Sequence, residues 1–327
     1  MSFIAKTKFV ASARTALKVA CQQIGMHSGQ RILVPDFICD VIIHPIAQEG
    51  LIPVYYPITD ELTPDWNVLE TLIESSLCDS MIMVHYFGQP QKIKQYKSFC
   101  TLHQLTLIED NAHGYGGYLE GRALGTFGDI GISSPRKFLG TPSGGAIHGV
   151  NDKTSLLIRK LSSFPAYRLR AILKTILYLN QPAWRFAKSL MDRRTNWNDP
   201  SIYEESVQLD FGIDAFSRWR IESADWQLVA SRRRENWKAW SLFARNKDLK
   251  MVFPEVHPES CPWAMPVYTK DIIERNIWLS WGAKNKVPLF PWPSLPSDII
   301  KEKGTALARW KTIFCFPLNV SPQEIGL

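Results

Sequence analysis

The sequence predicts an α/β fold in which a mostly parallel sheet is sandwiched by helices, followed by a small C-terminal α+β domain. Short apolar runs recur through the first 150 residues, and helix-length segments lie between several of them. Apolar strands that alternate with helices are typical of parallel sheets covered on both faces. The chain after residue 250 is rich in Pro and Trp, with strand-like pieces such as TIFCFPL at 312–318. A length of 327 residues with 45% hydrophobic content favours about two domains.

Each regular element of the first half is predicted from its periodicity. Residues 12–26 have the apolar spacing of an amphipathic helix, with Ser12 in the N-cap position. Helix-length segments follow at Trp66–Ser76 and Gln91–His103. The strand-like runs are residues 32–37, 52–58, 81–87, 105–110, 129–133 and 145–150.

Composition and periodicity divide the chain into three parts. Residues 1–195 are predicted to form a large α/β domain, which would bind the cofactor discussed below. Residues 196–246 are predicted to contain a polar linker and then one long helix from Asp214 to about Arg245. Residues 247–327 are predicted to form the small domain.

The net charge of +7 is concentrated in one basic helical segment, residues 153–194. Between Asp152 and Arg194, ten Lys or Arg residues oppose two Asp or Glu residues. This distribution argues against nucleic-acid binding over the whole protein and favours one basic surface. Two roles for that surface stay open: a solvated face that meets a nucleotide diphosphate, which we prefer, or association with an anionic membrane surface.

The cysteines indicate the cellular compartment. All six are scattered, without a C-x-x-C pair and without His clustering of the kind that binds metal. This pattern is typical of reduced thiols in a cytoplasmic protein and predicts no metal site. The sequence has no apolar run that approaches the roughly 18–20 residues of a membrane span.

The most informative stretch of the sequence extends from residue 108 to residue 147. An apolar strand ends there in Asp110, a Gly-rich stretch and a second short strand follow, and Lys137 precedes a Gly-Gly pair. Ligands in open α/β sheets bind at the carboxyl ends of the strands. A carboxylate and a lysine at these positions therefore predict a site for a bound cofactor.

Other site classes are excluded by motifs that the sequence lacks. No G-x-G-x-x-G follows the first strand, and the phosphate loop G-x-x-x-x-G-K-[ST] is absent. The serine of the Gly-Thr-Pro-Ser-Gly run at 140–144 has the wrong spacing for the nucleophile elbow of a hydrolase.

Several segments, taken in order, resemble motifs of the DegT/StrS sugar aminotransferases, which are fold-type I pyridoxal-phosphate enzymes. The resemblance covers most of the chain, and this sequence is similar to a divergent, short member of that family. The segments are SARTAL (12–17), ILVPDFICD (32–40), VHYFGQP (84–90), IEDNAH (108–113), SSPRKFLGTPSGG (133–145) and FPLNVSPQEI (316–325).

The resemblance implies catalytic roles for three residues. Lys137 would carry pyridoxal 5'-phosphate as a Schiff base and move a proton between the amino carbon and the ring-side carbon. Asp110 would pair with the pyridinium nitrogen and keep it protonated, so that the ring acts as an electron sink. His113 would lie near the phenolic oxygen of the cofactor.

The resemblance also implies a phosphate site at the N-terminus of helix 12–26. Ser12, Arg14 and Thr15 occupy the matching positions there, and free backbone N–H groups favour an anion. Ser133 or Ser134 would add a hydroxyl from the lysine loop. Ser133 stands four residues before the lysine, whereas the family serine stands five before it.

Two further departures from the family pattern concern the ring and the subunit interface. The family places an aromatic residue over the cofactor ring at the position of Cys39, so Phe37 or another ring would have to serve. The segment that matches the partner-subunit motif, residues 216–223, has no asparagine. Arg218 or Arg220 would then make the phosphate contact across a homodimer.

The activity implied by the resemblance is transamination in glycan or polysaccharide biosynthesis. An amino group would pass from an amino acid, glutamate by expectation, to a keto group of a nucleotide-linked sugar in a ping-pong cycle. A sugar dehydratase remains an alternative, although a histidine replaces the lysine in those relatives. A non-catalytic sensor or scaffold is a second alternative, which the retained Asp110 and Lys137 argue against.

Overall fold

A computed structural model describes residues 7–151, 154–158, 173, 176, 198–201 and 211–327. Most of the basic segment 153–194 and of the polar linker that follows it lies outside these described residues. Within them the predicted α/β class is confirmed, because a mostly parallel sheet packs against helices. In the same residues, no helix combines the length and the apolar character needed to cross a membrane.

The central sheet contains seven strands among the described residues. They are β1 (Thr7–Val10), β2 (Arg31–Pro35), β3 (Ile52–Tyr56), β4 (Ser80–Val84), β5 (Thr106–Asn111), β8 (Ile130–Ser133) and β9 (Gly145–His148), with a separate hairpin of β6 (Tyr118–Leu119) and β7 (Arg122–Ala123). Their order across the sheet is β1-β9-β8-β5-β4-β2-β3. The strands from β8 to β3 are all parallel, whereas β9 is antiparallel to both of its neighbours.

The helices of this half begin close to their predicted starts. Helix α1 begins after Ser12, whose Oγ accepts a hydrogen bond from the Thr15 backbone N–H at 3.2 Å and so satisfies one of the free amides of the first turn. The helices are α1 (Ala13–Gln23), α2 (Ile43–Gln48), α3 (Trp66–Ser75), α4 (Ile93–Leu102), α5 (Arg136–Leu139) and α6 (Thr154–Leu157).

The C-terminal part forms a second, antiparallel sheet with its own helices. Its strand order is β10-β11-β13-β12, and β13 includes most of the run predicted at 312–318. The elements are helices α7 (Ala215–Glu222), α8 (Trp226–Arg245), α9 (Ile272–Lys284), α10 (Ser297–Glu302) and α11 (Thr305–Thr312), and strands β10 (Lys250–Met251), β11 (Ala264–Tyr268), β12 (Phe290–Pro291) and β13 (Ile313–Pro317).

The prediction of one long helix from Asp214 to about Arg245 is wrong, because two helices, α7 and α8, occupy this stretch. Asp225 leaves the helical conformation, and its side chain accepts a hydrogen bond from the Leu228 N–H at 3.0 Å. Asp214 caps α7 in the same way, at 2.8 Å from the Ser217 N–H. An aspartate that caps a new first turn satisfies the amides that the interruption exposes.

Candidate active site

Asp110 lies at the carboxyl end of β5, in the middle of the central sheet. Its carboxylate is buried, and Oδ1 accepts a hydrogen bond from the Ala112 N–H at 2.8 Å. Burial raises the pKa of Asp110 above its ordinary value, while that hydrogen bond and the nearby Lys137 oppose the shift. A buried carboxylate of this kind is stabilised by any cation placed beside it.

Lys137 lies on the short helix α5, directly after the neighbouring strand β8. Burial lowers its pKa to about 8, and the negative charge of Asp110 partly offsets this effect. The lysine Nζ lies 4.8 Å from the centroid of the Trp263 ring. A lysine with a depressed pKa reaches the neutral, nucleophilic form near physiological pH.

His113 lies three residues beyond Asp110, in contact with two aromatic rings. It stacks on Trp263 at 4.4 Å and 27°, with Phe87 on another side at 5.8 Å. Burial, and then the charge of Lys137, hold the pKa of His113 well below its usual range. The Phe87 N–H donates to Nδ1 at 3.3 Å, which assigns the proton of the neutral ring to Nε2. Nε2 is therefore a hydrogen-bond donor.

A buried pair below the site supports this arrangement. His85 Nε2 lies 2.8 Å from a carboxylate oxygen of Glu109, and both side chains are fully buried. Glu109 also accepts backbone hydrogen bonds from Gly125 at 2.6 Å and Gly128 at 2.8 Å. Burial alone would raise the pKa of Glu109, but the contact with His85 and these backbone bonds bring it below its ordinary value. Sequence reasoning had assigned Glu109 no function of its own.

The residues of the predicted phosphate site meet at the start of α1. Ser12 and Thr15 are buried, and their hydroxyl oxygens lie 3.1 Å apart. Arg14 is half-buried in the same turn. The lysine loop reaches this turn through Gly145, where an added Cβ would lie 2.2 Å from the Ser12 carbonyl carbon. Only glycine allows so close an approach of the two segments.

The structure separates the two serine candidates of the lysine loop. Ser133 Oγ lies 2.8 Å from His148 Nε2, and His148 Nδ1 lies 2.9 Å from the Thr7 hydroxyl. Burial lowers the pKa of His148 to about 4, so this histidine is neutral. Ser134 is buried one residue closer to α5, and its carbonyl accepts a hydrogen bond from the Lys137 N–H at 3.0 Å. Since the Ser133 hydroxyl is engaged by His148, the prediction of a phosphate contact from the lysine loop rests on Ser134.

The aromatic ring beside Lys137 is that of Trp263, which lies just before strand β11 of the second sheet. Phe37 is buried against Trp292, with the ring centroids 4.6 Å apart, and the Trp292 ring in turn lies 5.8 Å from that of His113. Cys39 lies close enough to Lys137 to affect its pKa, and its Sγ is 3.4 Å from the Ser294 hydroxyl. Sequence reasoning missed Trp263, whose only signal was the high Trp content of the C-terminal part.

Arg218 and Arg220 lie on α7, which packs against the loop that follows Lys137: the Ser143 N–H donates to the Ser217 Oγ at 3.2 Å. Arg218 is exposed, and the Arg220 guanidinium lies 5.8 Å from the Trp219 ring, itself 58% exposed. The structure therefore places them on a surface of the single chain. The phosphate contact predicted for one of them across a homodimer stays a prediction.

The residues present fit pyridoxal phosphate. The buried carboxylate of Asp110, whose pKa burial raises, would be stabilised by a protonated ring nitrogen, and the Nε2 donor of His113 suits a phenolic oxygen. Lys137 has the depressed pKa that attachment to an aldehyde requires. Ser12 and Ser134 are both buried, and Ser12 caps the first turn of α1, where a dianion is favoured.

Known proteins resemble this chain in sequence over part of its length. GDP-perosamine synthase of Vibrio cholerae is 31% identical over 122 residues, which are 37% of this chain and 33% of that protein. The enzyme of the same name from Escherichia coli O157:H7 is 28% identical over 150 residues, or 44% of this chain and 40% of that protein. The chain thus aligns with a third to two fifths of the length of these relatives.

Similarity of fold extends over nearly the whole chain. Helicobacter pylori PseC, an aminotransferase involved in the biosynthesis of pseudoaminic acid, superposes with a TM-score of 0.72 at 13% identity, over 98% of this chain and 84% of its own. This likeness supports the fold of the pyridoxal-phosphate aminotransferases. A model of the DegT/DnrJ/EryC1/StrS aminotransferase family matches residues 6–172, more than half of the sequence. This chain belongs to the DegT/DnrJ/EryC1/StrS aminotransferase family.

Proposed function

We propose that this protein is a pyridoxal-phosphate-dependent aminotransferase. It would move an amino group from an amino acid, glutamate in the first instance, to a keto group of a nucleotide-linked sugar in glycan or polysaccharide biosynthesis. The single observation that carries the proposal is the convergence of Lys137, Asp110 and His113 at one edge of the sheet. The family membership and the sugar enzymes among its relatives support the substrate class.

The proposed mechanism assigns one task to each residue. Pyridoxal phosphate, when bound, supplies an electron sink for negative charge at the amino carbon of the substrate. Asp110 would hold the ring nitrogen and keep it protonated, because a cationic ring would stabilise the buried carboxylate. His113 donates from Nε2 to the phenolic oxygen. Lys137 binds the cofactor, and its amine accepts and returns the substrate proton because its pKa lies near 8.

Lys137 also distinguishes this proposal from the two alternatives. In the related sugar dehydratases a histidine would stand at this position, so the lysine favours transamination. A buried lysine with a depressed pKa beside a buried carboxylate costs stability, and a non-catalytic scaffold would have no need of it. Transamination accounts both for the presence of the lysine and for its depressed pKa.

We propose further that the enzyme is a cytoplasmic homodimer. The six cysteines are free, in agreement with a reducing compartment. The exposed Trp219 and Arg218 on α7 suit a subunit interface, since tryptophan and arginine are enriched in such contacts. We also propose the division into residues 1–195, 196–246 and 247–327, with the cofactor held by the residues of the candidate active site.

The test of the function is the visible absorbance of the purified protein mixed with pyridoxal phosphate. We expect a protein-dependent absorbance band that glutamate bleaches and that a nucleotide-linked keto sugar restores. Free pyridoxal phosphate with glutamate but no protein is the control. A folded protein that produces no band would refute the enzyme proposal, and a band that glutamate leaves unchanged would refute the donor.

The two serines of the lysine loop make a matched pair of variants. We expect Ser134→Ala to weaken pyridoxal phosphate binding about tenfold, because one hydrogen bond to a charged phosphate is lost. Ser133→Ala should leave that affinity unchanged and instead lower the free energy of unfolding by about 1–2 kcal/mol, because buried His148 loses its partner. Fluorescence titration and urea unfolding measure the two effects. A loss of affinity in Ser133→Ala alone would reverse the assignment.

A further inference from the structure

Trp263 has no task in the proposed function, yet its ring contacts two of the three residues that do. It lies just before β11, in the second sheet. The Lys137 Nζ is 4.8 Å from the indole centroid, and the His113 ring stacks on the indole at 4.4 Å. One side chain from the C-terminal part of the protein therefore touches both the lysine and the histidine of the cofactor domain.

The indole is held firmly in this position. The main chain of Trp263 is fixed on both sides, because its backbone N–H donates to the Phe87 carbonyl at 3.0 Å and its carbonyl accepts from the buried Arg233 guanidinium at 3.0 Å. Phe87 lies parallel to the indole within 8° at 6.3 Å, and Phe290 packs against it at 5.1 Å. The ring cannot turn away from Lys137 without the loss of several of these contacts.

The charged and titratable groups around Lys137 leave its ammonium without a direct counter-ion. Asp110 and Cys39 favour the charged amine through space, whereas burial and Arg136 disfavour it. His113 is neutral, since burial and Lys137 lower its pKa. Throughout the described part of the chain, no carboxylate oxygen lies within ion-pair distance of Nζ. The ammonium instead lies over the face of the Trp263 indole.

We propose that Trp263 is a positioning residue that replaces a counter-ion for Lys137, with its indole face stabilising the ammonium and fixing the place of Nζ. A cation over an aromatic ring is attracted by the negative π face, most strongly for tryptophan and in desolvated sites. The inference rests on the proposed function for its catalytic meaning. A lysine that accepts and returns a proton needs a site that tolerates its charged form without trapping it in an ion pair.

The test uses the protein without pyridoxal phosphate. Competitive labelling with acetic anhydride across a pH series, read by peptide mass spectrometry, gives the protonation midpoint of Lys137. We expect Trp263→Leu to lower that midpoint by about one unit, a tenfold smaller ratio of charged to neutral amine. Trp263→Phe should lower it less, because the smaller ring attracts a cation more weakly. Access of acetic anhydride to the buried amine affects the labelling rate that is reached at high pH. It does not affect the pH of half-maximal labelling, which reports the protonation of Lys137.

Trp281→Leu is the matched control, because Trp281 is also half-buried among aromatic rings but packs on Phe243 and Trp278. Its midpoint for Lys137 should equal that of the wild type. An unchanged midpoint in Trp263→Leu would overturn the inference. So would a raised one, which would show that the indole acts only by excluding water.

Two features keep this test independent of folding and of the proposed function. If Trp263→Leu does not fold, Trp263→Phe still has to lower the midpoint, and an unchanged or raised value there would overturn the inference. Labelling requires no cofactor. A protein that never binds pyridoxal phosphate would refute the proposed function, while the midpoint shift would stand or fall by itself.

Discussion

Replacement of Lys137 by methionine is expected to abolish the attachment of pyridoxal phosphate and to lower kcat by at least about 10³-fold. Methionine keeps the length of the side chain but has no amine to bind the cofactor or to move the substrate proton, and the proton-transfer role alone accounts for about 10²–10⁴-fold. Borohydride reduction followed by peptide mass spectrometry should show a cofactor adduct on the Lys137 peptide of the wild type only.

The same variant should be more stable than the wild type at neutral pH. The pKa of Lys137 is about 8 in the folded protein and 10.5 ordinarily, so between these values the unfolded chain binds more protons. The unfolding free energy of the wild type therefore rises as the pH increases from about 8 to 10.5. Below that window the buried ammonium costs the wild type roughly 3 kcal/mol, which methionine removes.

Lys94→Met is the matched control for both effects. Lys94 is 93% exposed at its side chain, near Glu120 at 4.0 Å, so its removal should change neither activity nor the pH dependence of unfolding. Urea unfolding at several pH values measures the stability part. Activity retained in Lys137→Met would contradict the catalytic role. A wild-type stability that stays flat from pH 8 to 10.5 would contradict the depressed pKa.

Glu109→Gln is expected to be the most destabilising conservative change near the site, at about 3–5 kcal/mol. His85 Nδ1 accepts a hydrogen bond from the Gln91 N–H at 3.1 Å, so Nε2 is the donor to Glu109. Loss of the buried carboxylate leaves this donor and the backbone N–H donors without a charged acceptor, and the new amide would direct N–H groups at them. Glu109 accepts from His85 and from the backbone of Gly125 and Gly128, so the loop at 125–128 should loosen. Urea unfolding at pH 7 gives the magnitude.

The surface of the protein provides a matched pair for comparison. His103 Nε2 lies 2.9 Å from a carboxylate oxygen of Glu70, almost the same distance as in the buried pair, but the Glu70 side chain is 48% exposed. We expect Glu70→Gln to cost less than about 1 kcal/mol, because water solvates the groups that remain. If Glu70→Gln and Glu109→Gln lowered the free energy of unfolding equally, burial would not be the reason for the large effect at Glu109.

The effect of Glu109 should also depend on pH. Its pKa in the folded protein lies below the ordinary value of 4.5, so its stabilising contribution is complete above about that pH. The contribution is lost as the pH falls further, through the lower folded pKa. The difference in unfolding free energy between the wild type and Glu109→Gln should therefore shrink in acid, and a difference that grows below pH 4 would reverse the assigned direction.

The elements that the sequence predicts well are those set by local periodicity. Helix α1 begins where Ser12 indicates, since capping depends on residues only three apart. Strand β5 ends at Asn111, close to the expected carboxylate, because an apolar run bounded by polar residues is a local signal. The sequence does not predict the break between α7 and α8, because the residues on both sides of Asp225 have a helical pattern and a single capping aspartate is a weak signal.

The partners of the site residues could not be predicted in this way. Strand β1 pairs antiparallel with β9, across more than a hundred residues of sequence. That pairing brings Thr7 to His148, whose other ring nitrogen lies within hydrogen-bond distance of the Ser133 hydroxyl. No spacing in the sequence reports such a contact, because it depends on which strands become neighbours.

The sequence by itself determined the class of the fold, the family motifs and the positions of Asp110 and Lys137 at the carboxyl edge of the sheet. These follow from side-chain periodicity and from the rule that parallel strands end at one edge. Only the tertiary structure decided the protonation of these groups and their surroundings. Burial sets the direction of each pKa, and the packing of the second sheet places Trp263 over Lys137, since both depend on contacts between distant parts of the chain.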